Sequence, residues 1–190
     1  MKLVKSLTLV GLVGLSSLYG ANYNVDPSHS NVGFKVKHLM ISTVQGNFEK
    51  FSGTFSINEQ SRNFSALNGI VDVASLTTQL AQRDNDLKDK DFFDVKKYPK
   101  MLMKLISQVG SKMIVGLTIK NVTKKIEMNL EEVNGPIKDP WGYTRMAFEL
   151  HGKINRKDFH LSYNKLLETG GFMVGDKVKI DILIEGIKTK

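Results

Sequence analysis

Residues 23–55 read YNVDPSHSNVGFKVKHLMISTVQGNFEKFSGTF, and apolar and polar residues alternate in two parts of this stretch. Val32, Phe34 and Val36 alternate with glycine and lysine, and further along Phe51 and Phe55 are separated by small or polar residues. Successive side chains of a β-strand point to opposite faces, so this period of two predicts strands with one buried face. The buried face could contact another sheet, a packed core or a ligand.

The same alternation recurs along the rest of the chain and predicts eight strands. Turn residues rich in glycine, asparagine and proline separate most of them, and the strands are placed at residues 31–38, 51–57, 67–74, 101–106, 112–120, 125–132, 145–154 and 177–187. A sheet with one dry face must bury that face, and closing the sheet on itself also removes its edges. We therefore expect a mainly β protein built as an eight-stranded antiparallel barrel.

The segment 75–99 departs from the alternation and predicts a helical crossover lying against one barrel opening. Ser75 or Thr77 would cap the helix, and Pro99 would stop it. The side chains expected to face the barrel are Leu76, Leu80 and Leu87, followed by Phe92 and Phe93 as an apolar plug. Aspartates at 84, 86, 89, 91 and 94 interleave with basic residues, which indicates a solvated helix with local ion pairs. A second short helix is expected at 164–169.

The first 21 residues have the three parts of a secretory signal peptide. A basic start precedes an apolar run over residues 7–15, and small residues at Gly20 and Ala21 offer a cleavage site. The apolar run is too short to span a bilayer. We therefore expect export to the periplasm of a bacterium, removal of residues 1–21, and a single domain over residues 22–190.

Composition excludes several classes of function. The chain has no cysteine, which excludes disulfides, thiol catalysis and thiolate metal sites. Its net charge is +8, but the lysines are spread singly over the polar faces of the predicted strands, without an arginine-rich tract. This distribution favours a solvated surface over a nucleic-acid partner, and it allows weak contact with an anionic membrane surface.

Catalytic and metal motifs are not evident. Asp26, Ser28 and His29 supply the residue types of a hydrolase triad, yet one turn cannot easily place serine and carboxylate on opposite sides of the imidazole. The favoured interpretation is a turn formed by Asp-Pro and capped by serine. The four histidines show no metal-ligand spacing, so no metal is expected.

Phenylalanine and methionine fill the predicted buried faces, and methionine adapts well to a flexible apolar guest. An eight-stranded barrel encloses either its own side chains or one small ligand, and the sequence alone leaves both possibilities open. His38 ends a strand on the buried parity, as a satisfied buried histidine or a polar contact for a ligand head group. The predicted ligand-binding residues are Val32, Phe34, Val36, His38, Phe55, Val71, Val73, Leu80, Phe92, Phe93, Met103, Val115, Leu117, Met146, Phe148, Ile180 and Ile182.

The pattern D-P-x-H-S-x-V-x-F-x-V-x-H-L-x-x-S-x-V-x-G-x-F at residues 26–48 resembles the YceI family of exported bacterial proteins, also called polyisoprenoid-binding proteins. The resemblance continues through RD at 83–84, DFFD at 91–94, LTIKNVTK at 117–124 and INRKDF at 154–159. The chain departs from the family at Asp86, Asn121 and His160, where the family usually has histidine, glycine and glycine.

The resemblance implies a lipocalin-like barrel with one helix near its mouth, an internal apolar cavity and a homodimer. The implied function is periplasmic binding, transport or storage of a long-chain lipid such as a polyisoprenoid or isoprenoid quinone, without catalysis and without a cofactor beyond the bound lipid. One alternative is an enzyme that acts on a lipid head group at the mouth, with His38 or His29 as base. Another is a basic surface module that binds nucleic acid or another polyanion.

Overall fold

The computed structural model describes residues 20–166 and 170–190, which form eleven strands, three short 3-10 turns and one α-helix. The helix, α1, spans Ala81–Lys88. The strands are β1 Ala21–Val25, β2 Asn31–His38, β3 Ser42–Phe48, β4 Phe51–Ile57, β5 Phe64–Asp72, β6 Leu76–Thr77, β7 Lys100–Val109, β8 Lys112–Ile119, β9 Val122–Lys138, β10 Thr144–Asn155 and β11 Val174–Lys188.

Six of these strands are halves of three longer ones. The 3-10 turn Pro27–His29 separates β1 from β2, residues 49–50 separate β3 from β4, and the 3-10 turn Val73–Ser75 separates β5 from β6. Counted in this way, the sheet has eight strands, each antiparallel to its neighbours, and β1 closes the ring by pairing with β11. The predicted mainly β, eight-stranded antiparallel barrel is therefore confirmed.

Three strands escaped the sequence-based prediction, namely β1, β3 and the two-residue β6, which lies in the segment predicted as a helical crossover. β1 is only five residues long and begins at Ala21, the last residue of the predicted signal peptide. β3 turns Val44, Gly46 and Phe48 inward, and the central glycine hides the alternation. Gly46 is glycine because a Cβ there would lie 2.5 Å from Cζ of Phe34, whose ring occupies that space.

The crossover contains less helix than predicted. α1 ends at Lys88, and residues 89–98 continue as turns held by backbone hydrogen bonds such as Phe93 N–H to Leu87 O at 3.1 Å. Neither Ser75 nor Thr77 caps the helix, because both precede its N-cap residue. That N-cap residue is Leu80, which makes no side-chain capping bond.

Asp84 corrects the expectation of a fully solvated helix. Its side chain is buried and accepts a hydrogen bond from the backbone N–H of Thr78 at 2.8 Å. Burial raises the pKa of Asp84, but the hydrogen bonds from the side chain and backbone of Thr78 outweigh it and lower the pKa overall. Arg83 donates to the same Thr78, from Nε to the hydroxyl at 2.7 Å and from Nη2 to the carbonyl at 2.9 Å. These contacts fix the start of α1 to the barrel.

The predicted helix at 164–169 is wrong for its described part. Asn164 and Lys165 are irregular, and Leu166 forms an isolated β-bridge with Phe172. Residues 167–169 lie outside the described residues, as does the predicted signal peptide except for Gly20 and Ala21. Within the described ranges, no helix combines the length and hydrophobicity needed to cross a bilayer.

Candidate functional site: an apolar cavity and its vestibule

The barrel interior is hollow at the end that the crossover covers. A cavity of about 180 Å³, hereafter the inner cavity, lies between the strands and residues 87–93. Its wall is almost entirely apolar. Ten of the predicted ligand-binding residues line it, namely Val32, Phe34, Val36, Val71, Phe92, Phe93, Met103, Leu117, Ile180 and Ile182.

The cavity exists partly because the inward position at Gly69 carries no side chain. Gly53 of β4 pairs with Gly69 of β5, which in turn pairs with Met103 of β7. A Cβ on Gly69 would meet only Cβ of Met103, at an ordinary contact distance of 3.8 Å. The space beside Gly69 is therefore open. Leu67 and Val71, the inward-facing residues on either side of Gly69 in β5, also line the cavity.

The opposite end of the interior, hereafter the packed end, is filled by the chain's own side chains. The ring of Phe55 stacks on Tyr23 with centroids 4.9 Å apart and meets Phe148 edge-on at 5.0 Å. Phe64 meets Phe148 at 4.9 Å. Such aromatic pairs add about 0.5–1.5 kcal/mol each beyond the burial of their area. The packed end therefore stabilises the barrel without leaving room for a ligand.

Several predicted ligand-binding residues lie outside the cavity wall, which corrects their expected position. Phe55, Val115, Met146 and Phe148 are fully buried in the packed end, because larger neighbours fill the space they face. Val73 is buried against other side chains behind the cavity wall. Leu80, the N-cap residue of α1, is 52% exposed and borders a second, outer cavity instead. Ligand contact by any of the seventeen residues stays a prediction.

Other wall residues escaped the predicted set, although most lie on strands that were predicted. The alternation places Met101 with Met103, Ile119 with Leu117, and Val178 with Ile180, so parity was a sufficient signal for these. Parity does not reach wall residues that come from loops and the crossover. The additional apolar wall residues include Phe48, Phe51, Leu87, Met101, Ile119, Leu150, Ile154, Leu161, Val174, Val178 and Ile184.

One charged side chain, Arg156, also borders the inner cavity. It is 4% exposed, and its Nε donates to the carbonyl of Gly175 at 3.0 Å. Its Nη1 donates to the carbonyls of Leu161 and Tyr163, and its Nη2 makes a longer contact with Asp176 at 3.3 Å. Burial lowers the pKa of the guanidinium. Because these groups occupy its donors, Arg156 holds the loop after β10 against β11 and does not offer a site for an anion.

A second, more polar cavity of about 620 Å³, hereafter the vestibule, lies outside the inner cavity. The two share Phe34, Val36, Leu87, Phe92 and Val174 as a common wall. The vestibule is also bordered by charged and polar groups, which are Lys37, His38, Gln82, Arg83, Asp86, Asp89, Asp91 and Lys165. A molecule with an apolar tail and a polar head could therefore place each part beside matching side chains.

Phe92 and Phe93, predicted as an apolar plug at one barrel opening, both line the inner cavity, and Phe92 also borders the vestibule. The ring of Phe93 meets Phe48 edge-on at 6.4 Å, and Phe92 packs on Tyr163 at 4.7 Å. Lys120 donates from Nζ to the carbonyl of Phe92 at 2.7 Å, which ties this turn to the barrel.

The Asp26, Ser28 and His29 motif lies at the packed end and forms a turn. Asp26 accepts the N–H of Ser28 at 3.0 Å, and its second oxygen contacts Nδ1 of His29 at 2.9 Å. Arg145 donates from one nitrogen to Asp26 at 2.8 Å and to Glu185 at 2.6 Å. Asp26, His29 and Glu185 bring possible metal ligands together, but the guanidinium of Arg145 already pairs with both carboxylates.

The fold and the cavity place the chain in the class of hollow antiparallel β-barrels. The family model described as YceI-like domain matches residues 23–186, and the chain belongs to this family. The resemblance predicted from the motifs is therefore confirmed.

Individual relatives agree with this assignment. A UPF0312 protein of Photorhabdus laumondii is 39% identical over 155 residues, which cover 78% of this chain and 80% of the relative. The crystal structure of the Campylobacter jejuni YceI protein is 34% identical, with a TM-score of 0.69, and the match covers 87% of this chain and 96% of that one. A polyisoprenoid binding domain from Saccharophagus degradans shares the fold at 14% identity, with a TM-score of 0.64 and coverage of 90% and 99%.

Proposed function

We propose that the protein binds a long-chain apolar lipid, such as a polyisoprenoid or an isoprenoid quinone, and carries or stores it in the periplasm. The tail would lie in the inner cavity and the polar head in the vestibule. The observation that carries the proposal is the almost wholly apolar wall of a cavity that opens toward a polar chamber.

Transfer of hydrocarbon from water provides the driving force. Each buried methylene contributes about 0.8 kcal/mol before the costs of ordering the chain. Because dispersion and the hydrophobic effect carry little directional information, binding should be tight but tolerant of chain identity. The Saccharophagus degradans protein with the same fold is described as a polyisoprenoid binding domain, which is consistent with this chemistry.

The inner cavity alone is too small to enclose a long lipid chain. Small-molecule sites usually enclose about 300–1,000 Å³, and the inner cavity is about 180 Å³. A long chain must therefore extend into the vestibule and displace flexible side chains from the cavity wall. Met101 and Met103 are suited to such movement, because methionine has three rotatable bonds and no branch.

Binding, rather than catalysis, suits the placement of the histidines proposed as bases. His29 is engaged with Asp26 and does not line the inner cavity or the vestibule. His38 does border the vestibule, where it can orient a polar head group. His38→Ala is expected to lower lipid affinity without emptying the apolar cavity.

The test is native extraction. The full chain would be exported in a bacterium, purified from the periplasm without detergent, extracted with organic solvent and analysed by mass spectrometry. We expect a long-chain prenyl lipid in close to equimolar amount. Protein that is folded, exported and repeatedly free of lipid would contradict the proposed function.

A further inference from the structure

One rim of the vestibule exposes apolar side chains to solvent. Met40 and Ile41, in the turn between β2 and β3, are 59% and 83% exposed. Leu166 and Phe172, in the loop between β10 and β11, are 75% and 47% exposed. The two segments adjoin, since the N–H of Leu39 donates to the carbonyl of Met173 at 2.8 Å. Met40, Ile41, Leu166 and Phe172 are called the apolar rim below.

The backbone conformation of the β2–β3 turn is unfavourable for the leucine and methionine that the turn contains. Leu39 and Met40 have φ values of 50° and 63°, and the N–H of Ile41 donates to the carbonyl of His38 at 3.2 Å. A turn with two positive φ values favours asparagine and glycine, because a Cβ is disfavoured there. Leucine and methionine make this turn less stable than the usual residues would. Asparagine or glycine would give a more stable turn, but neither would supply an apolar side chain at this position.

Charge around the vestibule is arranged asymmetrically. Lys37 and Lys165 are exposed beside the apolar rim, and Nζ of Lys157 lies 5.5 Å from the ring centroid of Phe172. Asp176, the carboxylate that contacts Lys157, is also paired with Arg156. The opposite side of the vestibule, formed by the crossover, carries three carboxylates, Asp86, Asp89 and Asp91, together with Arg83, which is bound to Thr78. The apolar rim is thus flanked by basic groups, and the acidic groups lie across the opening from it.

We propose that the apolar rim docks on the surface of a bilayer that contains anionic lipids. Apolar side chains flanked by lysine suit the boundary between acyl chains and anionic head groups. In this orientation the vestibule opens at the membrane, and a lipid tail can reach the inner cavity with little exposure to water. The purpose of docking rests on the proposed lipid-binding function, but docking itself is measured on vesicles, independently of the lipid that the protein carries.

A competing apolar surface occurs at the packed end. The hairpin between β9 and β10 exposes Ile137, Trp141 and Tyr143, and Trp141 is 78% exposed. Tryptophan and tyrosine are common at membrane surfaces. This hairpin is connected through Asp139 and Arg145 to the packed end, and its exposed apolar side chains line neither the inner cavity nor the vestibule. It therefore provides a matched control, because Ile41 and Trp141 are exposed to a similar degree.

The experiment is flotation of the full chain with vesicles of phosphatidylcholine alone and with vesicles of equal parts phosphatidylcholine and phosphatidylglycerol. We expect binding to the mixed vesicles, and Ile41→Asp should weaken it by about tenfold or more because it removes an inserted side chain and adds a repelled charge. Trp141→Asp should leave binding within about twofold of the unchanged protein. Circular dichroism of both variants checks that the barrel is intact.

Three results would overturn the docking proposal: no flotation with mixed vesicles, equal flotation of Ile41→Asp and the unchanged protein, or a larger loss for Trp141→Asp. The last result would assign docking to the β9–β10 hairpin. Failure of docking is distinguishable from failure of lipid binding, because native extraction of the same preparations reports the lipid content directly. Lipid-loaded protein that ignores vesicles would reject the docking proposal and retain the proposed function.

Discussion

The two ends of the barrel are made from the same strands with the same alternation, yet one is packed and the other is hollow. At the packed end, a Cβ added to Gly186 would lie 2.7 Å from Cζ of Phe55 and 3.1 Å from Cβ of Tyr23. At the hollow end, a Cβ added to Gly69 would meet only Cβ of Met103, at 3.8 Å. A glycine on the inward face thus marks tight packing in one place and free space in the other.

Because of this difference, the packed end can stabilise the barrel while the hollow end keeps space for a ligand. A barrel that is hollow throughout would lose the dispersion contacts that a close-packed interior supplies. Here the aromatic group of the packed end, together with Met113, Met128 and Met146, provides a fully buried core. The hollow end can then keep an apolar wall without a complete filling of side chains.

The largest predicted effect is that of a charge at the packed end. Val115→Lys should lower the free energy of unfolding by more than about 4 kcal/mol, because Val115 is fully buried and a lysine there has no partner. Phe148→Asp should act similarly. Chemical denaturation, or failure to obtain folded protein, measures the effect.

Thr118→Lys is the matched control, because it changes the same strand on its outer face. The hydroxyl of Thr118 contacts that of Thr123 at 2.8 Å on the outside of the barrel. We expect this variant to keep both its fold and its lipid. Comparable destabilisation by the lysines at 115 and 118 would show that the two faces of β8 are assigned wrongly.

Filling the hollow end should separate binding from stability. Gly69→Leu places a side chain in open space, so it should reduce bound lipid by about tenfold or more while the free energy of unfolding changes by less than about 1 kcal/mol. Reconstitution with a prenyl lipid, followed by extraction and mass spectrometry, measures occupancy.

Gly186→Ala is the reciprocal change at the packed end. The added methyl must displace the ring of Phe55, so we expect a destabilisation of about 1–3 kcal/mol. Lipid content should be retained at temperatures where the variant is folded. If Gly69→Leu kept its lipid and Gly186→Ala lost it, the assignment of the binding end would be reversed.

The sequence predicted the barrel because burial follows the alternation of residues along each strand. In β8, for example, Met113, Val115, Leu117 and Ile119 are all buried. The alternation shows which side chains of a strand point inward. It does not show whether they meet other side chains or a cavity at a given position along the barrel axis. Val115 meets the packed end and Leu117 the inner cavity, although the two are separated by a single residue.

The remaining details depend on contacts between distant residues. Leu80 was predicted to face the barrel from a helix, but α1 starts after it because Asp84 binds back to Thr78. Arg156 lies in the recognised INRKDF motif, yet only the folded loop shows that its donors reach the carbonyls of Leu161 and Gly175. Neither contact has a periodic signal in the sequence.

Acid should weaken the packed end through Asp26. A hydrogen bond from Arg145, and then one from His29, lowers the pKa of Asp26 from 3.8 to about 2. Because the folded-state pKa lies below the unfolded value, this stabilisation is present above pH 3.8 and is lost as the pH falls toward about 2. Denaturation at a series of pH values should show a smaller loss of stability across this range in Asp26→Asn. An unchanged pH dependence in that variant would mean that Asp26 does not supply the effect.

The smallest predicted effect concerns His160, which follows the 3-10 turn Arg156–Phe159 and precedes Leu161 of the inner cavity wall. Its φ is 59°, and its backbone N–H ends a 3-10 turn by donating to the carbonyl of Lys157 at 3.1 Å. The YceI family usually has glycine here, and glycine adopts positive φ without a Cβ penalty. His160→Gly should therefore raise the free energy of unfolding by about 0.5–1 kcal/mol, after the greater entropy of glycine in the unfolded chain offsets part of the gain. His160→Ala, which removes the same imidazole but keeps a Cβ, should give no increase. Equal stabilisation by His160→Gly and His160→Ala would mean that the effect comes from loss of the imidazole. A gain in stability confined to His160→Gly, with lipid content unchanged, would show that the hollow end can be made more stable without being filled.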